Sequence, residues 1–376
     1  IQRLIQEFRI SFGDLSNGGV VDTERKILTT ILWYMHQGTG GEFVPSTSEI
    51  VRSFAERFDY SVTIGGTATR AAIALQKIGY GSALQICCNN PLFKQLLPEE
   101  INYISSIPET SDHIYPHVSL QYPVGCHITL TDGSFVTEKP NRILFSRDPD
   151  SIAMRITDEF YPMITDAKVF LLSCFSEMLD ETLLLSRLDD TINTLKQLHV
   201  ERFVFMEDGC YEIRNLRFLT HRKLAPYINA LSMNEDEFFE LIGYKVDLLN
   251  VHQVRLALED AYAILKIPNL IVHSSLWALA YGKDAQRLEK SLRNGVTMAS
   301  TRFRMGDNFD YHDFADTMKY QNHAAGEQFC EQLSKFLGNL VCCVPGKDMN
   351  HITHPTTVGL GDFFAGGLVS GMVDLR

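Results

Sequence analysis

From about residue 150 onward, short apolar runs alternate with longer amphipathic stretches, and this alternation restricts the fold more than any other feature. Residues 168–173 (Lys-Val-Phe-Leu-Leu-Ser), 202–207 (Arg-Phe-Val-Phe-Met-Glu), 227–233 and 270–273 read as strands. Runs with so little polar alternation suit strands buried on both faces. Between them, residues 181–198 carry Leu184, Leu188, Ile192, Leu195 and Leu198 at helical spacing. Residues 254–265 also read as a helix, and 285–294 as one that Gly295 would cap. Strand and helix in turn predict an α/β fold: a mostly parallel sheet with helices on both faces.

Residues 113–148 break the pattern. Segments 117–122, 126–131 and 142–145 read as strands joined by Pro123-Val124-Gly125 and Asp132-Gly133, the latter a strong hairpin signal. A small antiparallel sheet inserted into an α/β chain is expected to serve as a lid. The net charge of −12, without a basic run, argues against nucleic-acid or anionic-membrane partners. The sequence is expected to carry neither a signal peptide nor a bilayer-length apolar run. None of the eight cysteines forms a C-x-x-C pair, which argues against zinc. Several lie in apolar runs (84–88 and 340–344), a usage that fits a reducing cytoplasm.

Three loops carry candidate chemistry. The first is Thr356-Thr357-Val358-Gly359-Leu360-Gly361-Asp362, running into Phe363-Phe364-Ala365-Gly366-Gly367. Its glycines let amide N–H groups converge at a helix N-terminus, an anion hole beside which Asp362 could accept a proton. Equally, it could be a Gly-rich turn with Asp362 as the N-cap. The second is a pair of acidic positions at strand ends: Glu207, and Asn234-Glu235-Asp236-Glu237. Carboxylates there could hold Mg²⁺, although Asn234 with Glu237 also reads as a capping box. The third is Gly65-Gly66-Thr67 entering an Ala-rich helix, either a substrate-facing turn or a small-residue packing surface.

In this order the motifs resemble the ADP-dependent glucokinase and phosphofructokinase family, a branch of the ribokinase-like superfamily. The resemblance spans Gly65-Gly66, residues 141–148 (Asn-Arg-Ile-Leu-Phe-Ser-Arg-Asp), Glu207 at the H-x-E motif, Asn234 to Glu237 at the N-x-x-E motif, His273, and Thr357 to Asp362. It implies a three-layer α/β/α sandwich with a mostly parallel central sheet and a small β-rich lid. Residues 1–60 and 113–148 would form the lid segments, and 61–112 and 149–376 the nucleotide-binding domain. It implies Mg²⁺-dependent phosphoryl transfer from ADP to a hydroxyl of a sugar or sugar phosphate. Asp362 would be the base and the amides of Gly359, Leu360, Gly361 and Asp362 the anion hole. Glu207 and Glu237 would organise the metal, and Asn234, His273, Val344, Thr357 and Val358 the nucleotide. Gly65, Gly66, Thr67, Gln121 and Ser176 would face the acceptor.

The departures concern the acceptor. Thr67 stands where glucokinases of the family carry Asn or Gln, Gln121 where a lid Glu is usual, and Phe175-Ser176 where a sugar-contacting His is expected. Phe205 replaces the His of H-x-E, and Phe363 a smaller residue. Lys347 belongs to the stretch, with Val344, Pro345 and Gly346, that resembles the adenine segment, and equally could be a solvated loop residue. The family's N-terminal sugar-binding strand has no match, so the sequence is expected to begin within its gene product. A non-catalytic nucleotide- or sugar-binding protein, or a kinase using ATP for another hydroxylated acceptor, are the alternatives.

Overall fold

Six strands gather where the apolar runs predict them. The structure, a computed structural model, describes residues 1–108, 115–197 and 202–375. Expectations for residues 109–114 and for Leu198 therefore lie outside the described residues. The strands are β1 (Val169–Leu172), β2 (Phe203–Glu207), β3 (Ala230–Asn234), β4 (Asn269–His273), β5 (Trp277–Gly282) and β6 (Val341–Pro345). They lie side by side in chain order. β1 to β4 run parallel, and β5 is antiparallel to both β4 and β6.

Both faces of this sheet are buried, which is why its strands read as unbroken apolar runs. Val204 and Met206 of β2 pack in one core with helices 181–197 and 251–265, while Phe205 points into the opposite core. The helices that position the candidate site residues are α1 (Thr67–Lys77), α2 (Arg214–Leu224), α3 (Glu235–Ile242), α4 (Glu289–Met305) and α5 (Leu360–Met372). α1, α4 and α5 contribute to the core that contains Phe205, Ile271 and Ala278. Helix, sheet and helix form three layers.

Two units make up the chain. One comprises Ile1–Thr63, Thr110–Pro149 and Ile352–Val358; the other comprises Ile64–Glu109, Asp150–His351 and Gly359–Arg376. In the first, Asn141–Phe145 pairs in parallel with Gly41–Phe43 and antiparallel with Val118–Tyr122. The Asp132-Gly133 turn closes a separate hairpin between His127–Thr129 and Ser134–Val136. Its core joins these strands to helices Glu24–Gln37 and Ser48–Ala55 through Ile27, Ile31, Val51, Phe54, Ile143 and Phe145.

Gly295 does not end a helix; it lies inside α4. Its role is close approach. A Cβ on Gly367 of α5 would lie 2.4 Å from the Asn294 carbonyl oxygen and 2.7 Å from the Gly295 Cα. On α5's other side, a Cβ on Gly366 would lie 2.9 Å from both the Ala71 carbonyl oxygen and the Ala74 Cβ. Small residues thus let α5 press between α4 and α1. Gly367→Ala should overpack this contact and destabilise the protein by about 2 kcal/mol, read as a lower urea midpoint with an unchanged m-value.

Candidate active site

The Gly359 to Asp362 loop is the N-terminus of α5. Gly359 is the N-cap with φ of 74°, a left-handed conformation that disfavours side chains, and Asp362 sits in the first helical turn. Asp362 is therefore not the N-cap. Phe363 N–H is the first to close on the Gly359 carbonyl, at 3.0 Å. Among the described residues, the amides of Leu360, Gly361 and Asp362 have no backbone acceptor. Free donors at the positive end of a helix dipole attract an anion. The Asp362 side chain is 21% exposed, and its Oδ2 accepts from Nη1 of the buried Arg70 at 3.2 Å.

Parallel strand register brings the second group together. β3 pairs Asn234 with His273 of β4, and Glu207 of β2 lies opposite Ser232. His273 stacks on Phe364 of α5, with ring centroids 4.2 Å apart, and its Nε2 is 3.4 Å from Glu207 Oε1. Among the described residues, Glu207 Oε2 is buried with no hydrogen-bond partner. Asn234 and Glu237 form the expected capping box: Asn234 Oδ1 accepts from Glu237 N–H, and Glu237 Oε2 accepts from Asn234 N–H, each at 2.9 Å. Burial raises the pKa of Glu207, with His273 opposing, and raises that of Glu237 further, helped by the charges of Asp208 and Glu207. A cation would relieve both. Among the described residues, no three His, Cys, Asp or Glu side chains converge as a metal cage.

Behind these acids lies a charge cluster that sequence reasoning missed. Arg217 of α2 donates to Asp208 Oδ2 from Nε and Nη2, at 3.0 and 2.7 Å, and from Nη2 to the Glu237 carbonyl at 2.8 Å. His221 Nε2 is 3.0 Å from Asp208 Oδ1. Burial works against the charged Asp208, but His221 and Arg217 overcome it and lower its pKa. Arg217 thus ties the residue after Glu207 to the first turn of α3. The available signal was a basic residue at helical spacing among Leu216, Thr220 and Leu224, all of them buried.

The residues expected to face the acceptor fall in both units. Gly66, with φ of 88°, is the N-cap of α1, and Thr67 opens that helix. Burial pushes the thiol of Cys174 up to about 11, with the backbone of Thr67 opposing. Among the described residues, Cys174 is one of three non-glycine residues at positive φ, at 71°, and Ser176 follows in the same short turn. An added Cβ on Gly209 would lie 2.8 Å from Ser176 Oγ. Gly65 has open space where a Cβ would be. In the other unit, Gln121 Oε1 accepts from Thr357 N–H at 2.7 Å, Thr357 Oγ1 at 3.0 Å and Val358 N–H at 3.3 Å.

Several side chains differ from their sequence reading. Val344 is buried in the sheet core, so a ligand there would meet backbone. Phe205 is fully buried, and Phe363 packs with Phe309 and Phe314 while lying under the Arg302 guanidinium. Neither lines an open acceptor surface. Lys347 is no solvated loop residue: its Nζ donates to the carbonyls of Met318 and Tyr320, at 2.9 and 3.0 Å, and to Asn322 Oδ1. The buried cluster gives a stability test. Arg217→Met leaves the buried Asp208 with His221 as its remaining charged partner and should cost about 3–5 kcal/mol, while adding Asp208→Asn should recover part of that loss in denaturant titrations.

No curated protein matches the sequence. Structurally, a phosphofructokinase from Pyrococcus horikoshii OT3 with AMP is similar at 16% identity and TM-score 0.71, covering 99% of this chain and 90% of that one. An ADP-dependent kinase in complex with fructose-6-phosphate and ADPβS is similar at 16% identity and TM-score 0.78, covering 96% and 91%. The last common ancestor of ADP-dependent phosphofructokinases from Methanosarcinales gives 15% identity and TM-score 0.69, covering 100% and 89%. At these identities the likeness establishes the fold, which is ribokinase-like α/β. The conserved region of the ADP-specific phosphofructokinase/glucokinase family matches residues 1–370. The chain belongs to that family and is by class an ADP-dependent sugar kinase.

Proposed function

We propose that this protein transfers the β-phosphoryl group of ADP to a hydroxyl of a sugar or sugar phosphate, leaving AMP, with Asp362 as the base. The observation that carries this reading is the N-terminus of α5, where unpaired amides and a partly exposed carboxylate share one helical turn. The amides of Gly359, Leu360, Gly361 and Asp362 would stabilise charge gathering on the transferring oxygens. Asp362 would take the acceptor's proton, and small residues of α5 would hold both groups in register.

Mg²⁺ fits the acidic pair, because among the described residues Glu207 Oε2 is a buried oxygen without a donor and Glu237 is pushed towards its neutral form. Glu207 and Glu237 would hold the ion, and when bound it would neutralise phosphate charge. Asn234, His273, Val344, Thr357 and Val358 are assigned to the nucleotide. Gly65, Gly66, Thr67, Gln121 and Ser176 are assigned to the acceptor. Residues 1–60 and 113–148 are assigned as lid segments. Eight free cysteines support a cytoplasmic setting, and no helix among the described residues is long and apolar enough to cross a membrane.

Incubation with Mg²⁺, ADP and a panel of sugars and sugar phosphates, followed by phosphorus NMR, tests the activity. AMP and a new phosphate ester should appear in equal amounts; ADP formed from ATP as the only turnover would sink the reading. Asp362→Asn should lower kcat by about 10²–10⁴-fold while ADP affinity stays within about threefold. Near-parent kcat would remove Asp362 as base. Glu237→Gln keeps the capping box and tests the acid. A carboxyl whose folded pKa is raised contributes stability below its ordinary value of 4.5 and loses it as pH rises through the folded value. The metal-free variant should therefore gain on the parent in melting temperature as pH rises above 4.5, and should bind Mg²⁺ more weakly by calorimetry.

A further inference from the structure

Arg70 is an unexpected residue to find beside a base. It lies on α1 with a 9% exposed side chain, and burying a guanidinium is costly unless its donors are used. Its partner Asp362 is 21% exposed, so the ion pair alone does not account for the burial. Two further contacts do. Nε donates to the Ile64 carbonyl at 2.7 Å. The end of the side chain also fills the space beneath Gly359, where an added Cβ would lie 2.3 Å from Nη1 and 3.0 Å from Cδ. One side chain therefore touches both the turn that aims the amides and the carboxylate that follows it. Among the described residues, Arg70 is the hydrogen-bond partner of Asp362; it engages Oδ2 and leaves Oδ1 open.

We propose that Arg70 is a positioning residue for phosphoryl transfer, fixing the Asp362 carboxylate so that Oδ1 faces the acceptor hydroxyl. This rests on the reading of Asp362 as base. As the acceptor's O–H bond breaks, its proton moves to Oδ1 and an oxygen electron pair forms the new O–P bond. The P–O bond to the departing AMP oxygen breaks with its electron pair. Protonation of Asp362 leaves the positive charge of Arg70 uncompensated beside the Gly359 turn. That charge appears just as negative charge gathers on the transferring group.

The test combines kcat, ADP affinity by calorimetry, and melting temperature for Arg70→Met, Arg70→Lys, Asp362→Asn and the Arg70→Met/Asp362→Asn double variant. Arg70→Met should lower kcat about 100-fold with ADP affinity within about threefold, and Arg70→Lys should recover about tenfold of that loss. In the Asp362→Asn background, Arg70→Met should cost less than about threefold more, because the two groups act as one unit. Equal losses in both backgrounds, or parent-like kcat in a folded Arg70→Met protein, would overturn the proposal. If Arg70→Met does not fold, Arg70→Lys decides alone: its single ammonium cannot reproduce both bonds, and parent-like kcat would refute the assignment. Asp362→Asn distinguishes the two failures. If it turns over normally, the base itself is wrong; if it is crippled while Arg70→Met is normal, only the role of Arg70 is lost.

Discussion

The close seating of the C-terminal helix Leu360–Met372 against Glu289–Met305 and Thr67–Lys77 is the constraint on which the rest of the site depends. Gly366, Gly367 and Gly371 meet neighbouring backbone atoms closely enough that a methyl group at any of them would collide. That approach brings Phe364 over His273, Gly359 over Arg70, and Asp362 within reach of the Arg70 guanidinium. A longer side chain at the helix contact would move the N-terminus, and the amides, carboxylate and arginine would shift together. Packing and chemistry are therefore coupled through residues that have no functional group of their own.

Electrostatics complete the site in two different ways. Asp208 is a buried charge made tolerable by Arg217 and His221, and it remains ionised. Glu207 and Glu237 have no such partners in full measure, and burial drives both towards the neutral acid. The first arrangement holds β2 and α3 in register. The second stores an unmet demand for positive charge at the carboxyl ends of parallel strands, where ligands of open α/β sheets bind.

The sheet was legible because strands buried on both faces leave a plain apolar signature, and the capping box of Asn234 and Glu237 because its pattern is local. Gly295 was misread because glycine serves equally at a helix end and at a helix crossing, and only the partner helix distinguishes them. Phe205 and Phe363 were read by motif position, whereas side-chain direction along strand and helix sends both into the core. Arg70 escaped because its partner Asp362 is 292 residues away, although an arginine within an alanine-rich buried face was itself an anomaly. Trp277–Gly282 was not foreseen as a strand, its alanine-rich run carrying little strand propensity.

The proposed role of the first turn of Leu360–Met372, to hold the transferring group with Asp362 as base, is open to direct observation. The most direct measurement is a crystal structure with AMP, a sugar acceptor, Mg²⁺ and a fluoroaluminate mimic of the moving phosphoryl group. The mimic should lie on the amides of Leu360, Gly361 and Asp362, with the acceptor hydroxyl on Asp362 Oδ1 and Arg70 still on Oδ2. A mimic bound away from that turn, with Asp362 touching neither it nor the acceptor, would rule this role out.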